Sequence, residues 1–282
     1  MVVFTGEEGS AFGLTLLGSS ALVGKLSMDE ALSRKNAMGQ TLGETLEGIS
    51  YKGDFERSLD DVEYMVEMHV EQGPVLYQEK IPIGIVENIS GIAWVMATIV
   101  GQENHAGTTP MKMRKDALVA ASEVISFINK RAREIGPSTV GTVGKLDVFP
   151  NGTNVVPGKV EMGIDIRDVI QKNMENLKSE TVEVIKGLRE KYGVDISIQM
   201  PITHAPAPLS GEVVDIIEKS AKQVGISAKR MNSGAGHDSQ NMAEKVKTGM
   251  IFVPSVNGVS HAPMEWTNWE DIENGVQVLT QT

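Results

Sequence analysis

The run Ala93-Trp94-Val95-Met96-Ala97-Thr98-Ile99-Val100, entered at Ile92 and ended by Gly101, decides the fold. Its β-branched and aromatic residues, closed by a glycine, read as a long strand. Asp116 to Ile135 follows with Leu118, Ala121, Val124, Ile125 and Ile128 spaced to share one face of a helix. Thr142–Phe149 and Val155–Ile166 read as two strands parted by the turn Pro150-Asn151-Gly152. A second helix is expected from about Met174 to Tyr192, and Asp195–Met200 closes the segment as a strand. The order β-α-β-β-α-β is that of a ferredoxin-like α+β unit.

Outside this segment the texture is α/β. His204-Ala205-Pro206-Ala207-Pro208 reads as a linker out of it, so His204 is read as structural. A helix is expected near 211–225, a buried strand at Met250-Ile251-Phe252-Val253-Pro254, and a final helix from about Asn268. Upstream, Met1-Val2-Val3-Phe4 reads as the tail of a buried strand, and Ser27 as the N-cap of a helix opening at Met28. Val62–Val70 fits a helix or a strand equally by period. The expected organisation is therefore an α/β domain at residues 1–91 and 204–282, interrupted by an inserted α+β domain at 92–203.

Composition narrows the function. The 282 residues carry 26 Lys+Arg against 37 Asp+Glu, a formal net charge of −11. Nucleic-acid and anionic-membrane surfaces need clustered cations, so neither partner is expected. No apolar run approaches the ~18 residues of a spanning helix, and the start lacks the basic flank and apolar stretch of a signal peptide. The absence of cysteine removes disulfides, thiolate nucleophiles and Cys-type metal sites together. A cytoplasmic location is expected. Any metal must be held by His, Asp and Glu.

Four of the five histidines sit in small, polar or glycine-rich settings near the ends of expected strands, where α/β folds place their ligands. They are His69 (before Val70-Glu71-Gln72-Gly73), His105 (before Ala106-Gly107-Thr108-Thr109-Pro110), His237 (after Gly234-Ala235-Gly236) and His261 (before Ala262-Pro263). Glu7-Glu8 follows an apolar stretch and precedes Gly9-Ser10, small residues that let the backbone turn tightly. Adjacent side chains point apart, so one carboxylate can bind a metal while its neighbour accepts a proton. That division of labour suits metal-assisted hydrolysis.

These blocks, with Asn154-Val155-Val156-Pro157-Gly158, Asp165-Ile166-Arg167, Ser233–Asp238 and Ser260–Glu265, resemble the hydantoinase/carbamoylase branch of the dinuclear zinc amidohydrolases. That branch contains N-carbamoyl-L-amino acid hydrolases, allantoate amidohydrolases and β-ureidopropionases. The resemblance runs over essentially the whole chain. It implies a zinc-aminopeptidase-like α/β catalytic domain and a ferredoxin-like dimerisation or lid domain, hence a homodimer. It also implies a small ureido or amide acid substrate bearing a carboxylate, and normally two divalent metals per chain, zinc or manganese, with cobalt and nickel as further candidates. Glu7 matches the general base; Glu8, His69 and His261 match metal ligands. His105 matches a histidine that reaches the partner subunit's site and polarises the scissile carbonyl. Asn154 and Arg167 match substrate-holding residues, Arg167 suiting a carboxylate through its planar fork. Gln72, Gly234 and Gly236 match further substrate-side contacts, and His237-Asp238 either a contact or a support behind one.

The chain departs from the family in two places. Ala11 stands where relatives carry Arg, and no His or Asp precedes Glu7 to match the two earliest metal ligands. A chain shortened by about a third of the family's usual length is the expectation from this, and a catalytically inactive homologue acting as a dimeric or binding module is the alternative to the hydrolase.

Overall fold

The computed structural model describes residues 1–53 and 58–282. The chain divides into two units, Met1–Ile89 with Ala207–Thr282, and Ser90–Pro206.

In the first unit three short helices, α1 (Leu17–Leu22), α2 (Met28–Ser33) and α3 (Leu42–Gly48), precede strand β1 (Tyr64–Val70). Helix α4 (Val75–Glu79) and strand β2 (Ile83–Ile89) follow. Ser27 and Thr41 cap α2 and α3 through capping boxes closed by Glu30 and Glu44. Val62–Val70, ambiguous by period, resolves as strand from Tyr64 because it pairs in parallel with a later apolar strand, His69 lying opposite Phe252. Met1–Phe4 is corrected: it forms no strand, and Met1, Val2 and Val3 are exposed. None of these residues joins a ladder among the described residues, and Phe4 instead packs beside Val23, Met242 and Val246.

The second unit opens with β3 (Gly91–Val100) and the two-residue β4 (Asn104–His105), then α5 (Ala117–Ile135) and β5 (Val140–Phe149). It continues through β6 (Val155–Val156), β7 (Lys159–Asp168), α6 (Gln171–Tyr192), β8 (Asp195–Gln199) and β9 (Thr203–His204). The expected strand over Val155–Ile166 is two: Pro157-Gly158 breaks it, and β6 turns aside to pair with β4. The sheet order β5-β7-β3-β8, all antiparallel, is the ferredoxin-like arrangement.

Period two decides what this sheet buries. Ala93, Val95, Ala97 and Ile99 of β3 and Val160, Met162, Ile164 and Ile166 of β7 face the helices and are buried. Helix α5 answers with Ala117, Ala120, Ala121, Val124, Ile128 and Ala132, and Leu118 and Ile125 flank this stripe rather than centre it. Small residues on that stripe let the helix approach the sheet closely. The chain then returns to the first unit through β10 (Ala207–Pro208), α7 (Gly211–Gln223), β11 (Ala228–Ser233), α8 (Asp238–Met242), β12 (Lys247–Val253) and α9 (Trp269–Gln281). The first sheet runs β1-β12-β2-β10, with β11 also on β2.

Ile164 sits in the middle of β7, essentially without exposure. Ile164→Ala is expected to cost about 2–5 kcal/mol, read as a lower denaturant midpoint with unchanged slope. A cost under about 0.5 kcal/mol, typical of surface changes, would contradict this core.

Candidate active site

Two parallel strands build the first half of the site. Because β1 and β12 run the same way, their C-terminal ends deliver loops to one edge of the sheet: His69–Pro74 from β1 and residues 254–265 from β12. The loops are tied together. Glu71 N–H donates to Val253 O at 2.9 Å, and Gln72 N–H donates to Ser255 Oγ at 3.0 Å. The buried Glu71 carboxylate accepts from the Val75 and Leu76 amides at 2.9 and 2.8 Å, fixing the start of α4. At Gly258 a Cβ would meet Pro74 N at 2.7 Å, so only glycine lets the two loops touch there.

Gln72 and His261, one from each loop, hold positive φ of 57° and 53°. Non-glycine residues in that region concentrate at functional sites, where the surroundings hold them against strain. Their side chains meet, Gln72 Nε2 to His261 Nε2 at 3.3 Å, and His261 Nε2 lies 3.4 Å from Glu8 Oε2. Glu265 accepts the His261 N–H at 2.9 Å and so sets the loop that presents the ring.

The second half comes from α8, which packs on β1 and β12. The loop holding Gly234 and Gly236 leads into it, and His237 precedes its first turn. His237 is fully buried, with its ring centroid 4.5 Å from that of His69 and 5.6 Å from that of Phe252. Asn241, on the same helix, donates to Ser19 Oγ at 2.8 Å and Ser20 Oγ at 3.0 Å, tying α8 to α1.

Proton placement in the two rings follows from their partners. His69 Nδ1 lies 2.8 Å from Val70 O, a carbonyl that can only accept, so Nδ1 carries a hydrogen and Nε2 is the nitrogen left to face a metal. Ser233 Oγ is 2.9 Å from Ala235 O, which claims its one hydrogen, and it accepts the Ala235 N–H at 3.1 Å. His237 Nε2, 2.8 Å from the same oxygen, must therefore donate. That leaves a lone pair on His237 Nδ1, which is buried with no partner among the described residues, as is Asp238 Oδ1. An unsatisfied buried acceptor of this kind costs about 1–3 kcal/mol unless something meets it. Ligand atoms of Glu67, His69 and His237 lie within 4.8 Å of one another. Two imidazoles and a carboxylate are a donor set suited to a divalent transition metal.

Of the residues expected from sequence, Glu7, Glu8, Gln72, His69, His261, Gly234 and Gly236 lie in this unit. Glu67 was missed: only its place two residues before His69, on the same face of β1, signals it. His105, Asn154 and Arg167 lie in the other unit. His105 is exposed on β4, and Asn154 O accepts the Ala106 N–H at 2.9 Å, so these two sit at the two-stranded β4–β6 ladder. Arg167, on β7, meets Asp165 through Nε at 2.9 Å and Nη2 at 3.0 Å, and Trp94 Nε1 donates to the same carboxylate at 2.9 Å. That pairing fixes the plane of the guanidinium.

Burial also tunes the acids. Glu7 is pushed up to about 7, first by burial and then by the neighbouring carboxylates of Glu8 and Asp238, with His69 opposing. Asp238 rises to about 6, mainly by burial, with hydrogen bonds from Ser19 opposing. His237 is pushed down to about 3 by burial and by His69, and so stays neutral.

A carboxyl raised on folding holds its proton more tightly when folded. The stability Glu7 contributes is complete below about pH 4.5 and is lost as pH rises through about 7. His237 acts in the opposite sense, losing its contribution as pH falls from 6.5 toward 3. In metal-free protein, wild type should therefore lose stability relative to Glu7→Gln as pH rises across 4.5 to 7. Urea unfolding of both proteins at several pH values checks this, and a pH-independent difference would contradict the burial of Glu7.

The family described as Peptidase family M20/M25/M40 matches residues 1–282. An N-carbamoyl-L-amino-acid amidohydrolase of Pseudomonas sp. (strain NS671) is 37% identical over 289 residues, covering 100% of this chain and 70% of the relative. An allantoate amidohydrolase of Bacillus subtilis (strain 168) is 36% identical, covering 97% of this chain and 67% of the relative. A crystal structure of an amidase of the hydantoinase/carbamoylase family from Burkholderia multivorans superposes with a TM-score of 0.95 at 34% identity, over 99% of this chain and 68% of that one. With the strand-end histidines and acidic pair in place, this chain belongs to peptidase family M20/M25/M40, among its hydantoinase/carbamoylase amidases.

Proposed function

We propose that this chain is a metal-dependent amidohydrolase cleaving a linear C–N bond in small ureido or amide acids, of the N-carbamoyl-L-amino acid or allantoate kind. The observation that carries the reading is the buried His237 Nδ1 lone pair beside His69 and Glu67, at the strand ends where Glu7 is raised toward neutrality. The substrate class rests on what the relatives are named for.

In this reading Glu8, His69 and His261 hold divalent metal, zinc or manganese, two ions per chain. Glu67 and His237 offer further donors to it. The metal, when bound, polarises the scissile carbonyl and acidifies water. Glu7 takes the proton of the attacking water and passes it to the leaving nitrogen. The C–O bond forms first, placing charge on the carbonyl oxygen, and the C–N bond breaks as the nitrogen receives the proton, releasing an amine, with CO2 and ammonia from an N-carbamoyl substrate.

His105 polarises the carbonyl from the partner subunit of a homodimer formed through residues 92–203. Gln72, Gly234 and Gly236 line the substrate side. Asn154 and Arg167 hold the substrate, the guanidinium plane set by Asp165 receiving its carboxylate. A cytoplasmic location fits such substrates; no described helix is long and apolar enough to cross a membrane. The relatives' names lend nothing to the inactive-module alternative, whose one support is the missing match to the two earliest metal ligands.

Turnover of N-carbamoyl-L-amino acids, allantoate and 3-ureidopropionate with added zinc or manganese tests the reading. At least one should be hydrolysed, and none by Glu7→Gln. Arg167→Lys keeps the charge but loses the planar guanidinium that Asp165 orients, and should lower kcat/KM about 10- to 100-fold, the worth of one charged hydrogen bond. Near-normal turnover in that variant would contradict the carboxylate-binding role.

A further inference from the structure

The loop from His105 to Thr109 is folded around the imidazole itself. His105 Nδ1 receives the Gly107 N–H at 2.9 Å and the Thr108 N–H at 3.2 Å. Both partners are donors, so Nδ1 must present its lone pair and the ring hydrogen must reside on Nε2. The space is tight: a Cβ on Gly107 would stand 3.2 Å from His105 Cε1. Below the ring, pairing of β4 with β6 and the Ala106 N–H to Asn154 O bond anchor the start of the loop.

What turns the Gly107 amide toward the ring is a residue outside the motif blocks. Arg114 is half-buried, after the 3-10 turn at Met111–Met113 and just before Asp116, which caps α5. Its Nη2 donates to Ala106 O at 2.5 Å and its Nε to Thr109 O at 3.1 Å. One rigid guanidinium thus grips carbonyls at both ends of the loop, and because the Ala106 carbonyl and the Gly107 N–H oppose each other across one planar trans peptide, holding the former on Arg114 aims the latter at Nδ1. A lysine has one nitrogen and cannot span both.

We infer that Arg114 is a positioning residue that locks His105 as the neutral tautomer with hydrogen on Nε2. The exposed nitrogen then offers a hydrogen bond to an acceptor such as a carbonyl oxygen. In that state it has no lone pair with which to bind metal or remove a proton. A neutral imidazole so held stabilises charge as it develops without itself ionising. The inference rests on His105 being a site residue, as proposed above, but the lock is a property of the local structure.

Long-range proton–nitrogen NMR on the uniformly 15N-labelled full chain reads the tautomer directly. The measurement is made at about pH 8.5, well above the ordinary histidine pKa of about 6.5. In wild type, His105 should show limiting shifts, Nε2 protonated and Nδ1 bare. In Arg114→Gln both shifts should move toward the averaged values of an unrestrained ring, and Arg114→Lys, the milder change, should move them the same way. Averaged shifts in wild type, or limiting shifts retained in either folded variant, would overturn the lock. With a turned-over substrate, Arg114→Lys should lower kcat about tenfold with KM within about twofold, the signature of a donor displaced from the transition state. A locked ring in a chain that turns over none of the substrates would count against the hydrolase reading and leave the lock standing.

Discussion

The parallel ladder between β1 and β12 is the constraint on which the candidate metal centre depends. Pairing Val70 with Val253 places two loops at one edge of the sheet, and everything that can bind there is hung from those loops or packed against those strands. Were the pair antiparallel, His69 and His261 would leave the sheet at opposite ends. The ladder is secured from within by Phe252, Met250 and Ile251, all buried, so the geometry of the edge is set by apolar packing remote from any polar group.

Against that rigid edge the molecule places polar groups whose bonds are left open. His237 Nδ1 and Asp238 Oδ1 are buried and unpartnered, Glu7 is raised toward neutrality, and Gln72 and His261 sit at positive φ. Each costs stability in the free chain. Together they describe a site pre-arranged for a cation, whose arrival would satisfy the lone pairs and return the acids to their charged form. Stability and function therefore pull in opposite directions at this edge, as expected where residues are chosen for chemistry.

Much of this is legible in the sequence, for identifiable reasons. The β-α-β-β-α-β order could be read because each element there is long and strongly periodic. The N-cap at Ser27 is a side-chain signal written in a single residue. Val62–Val70 could not be assigned because a strand half-buried along both faces shows no alternation, and only its partner β12 settles it. Met1–Phe4 has strand-like composition but no ladder, and composition alone does not make a strand. In the candidate site, motif blocks brought forward the residues proposed to face a ligand. Glu67 and Arg114 act through three-dimensional neighbours, a facing histidine and two loop carbonyls, which spacing along the chain does not reveal.

The central claim is that the edge of β1 and β12 holds metal. Its most direct test is the metal retained per chain after equilibration with zinc or manganese and removal of the excess, in wild type and in His69→Ala. The account predicts about one to two ions on wild type, the range from a single to a two-metal site, and loss of bound metal in the variant. Wild type that retains none, or a variant that retains as much as wild type, would contradict it.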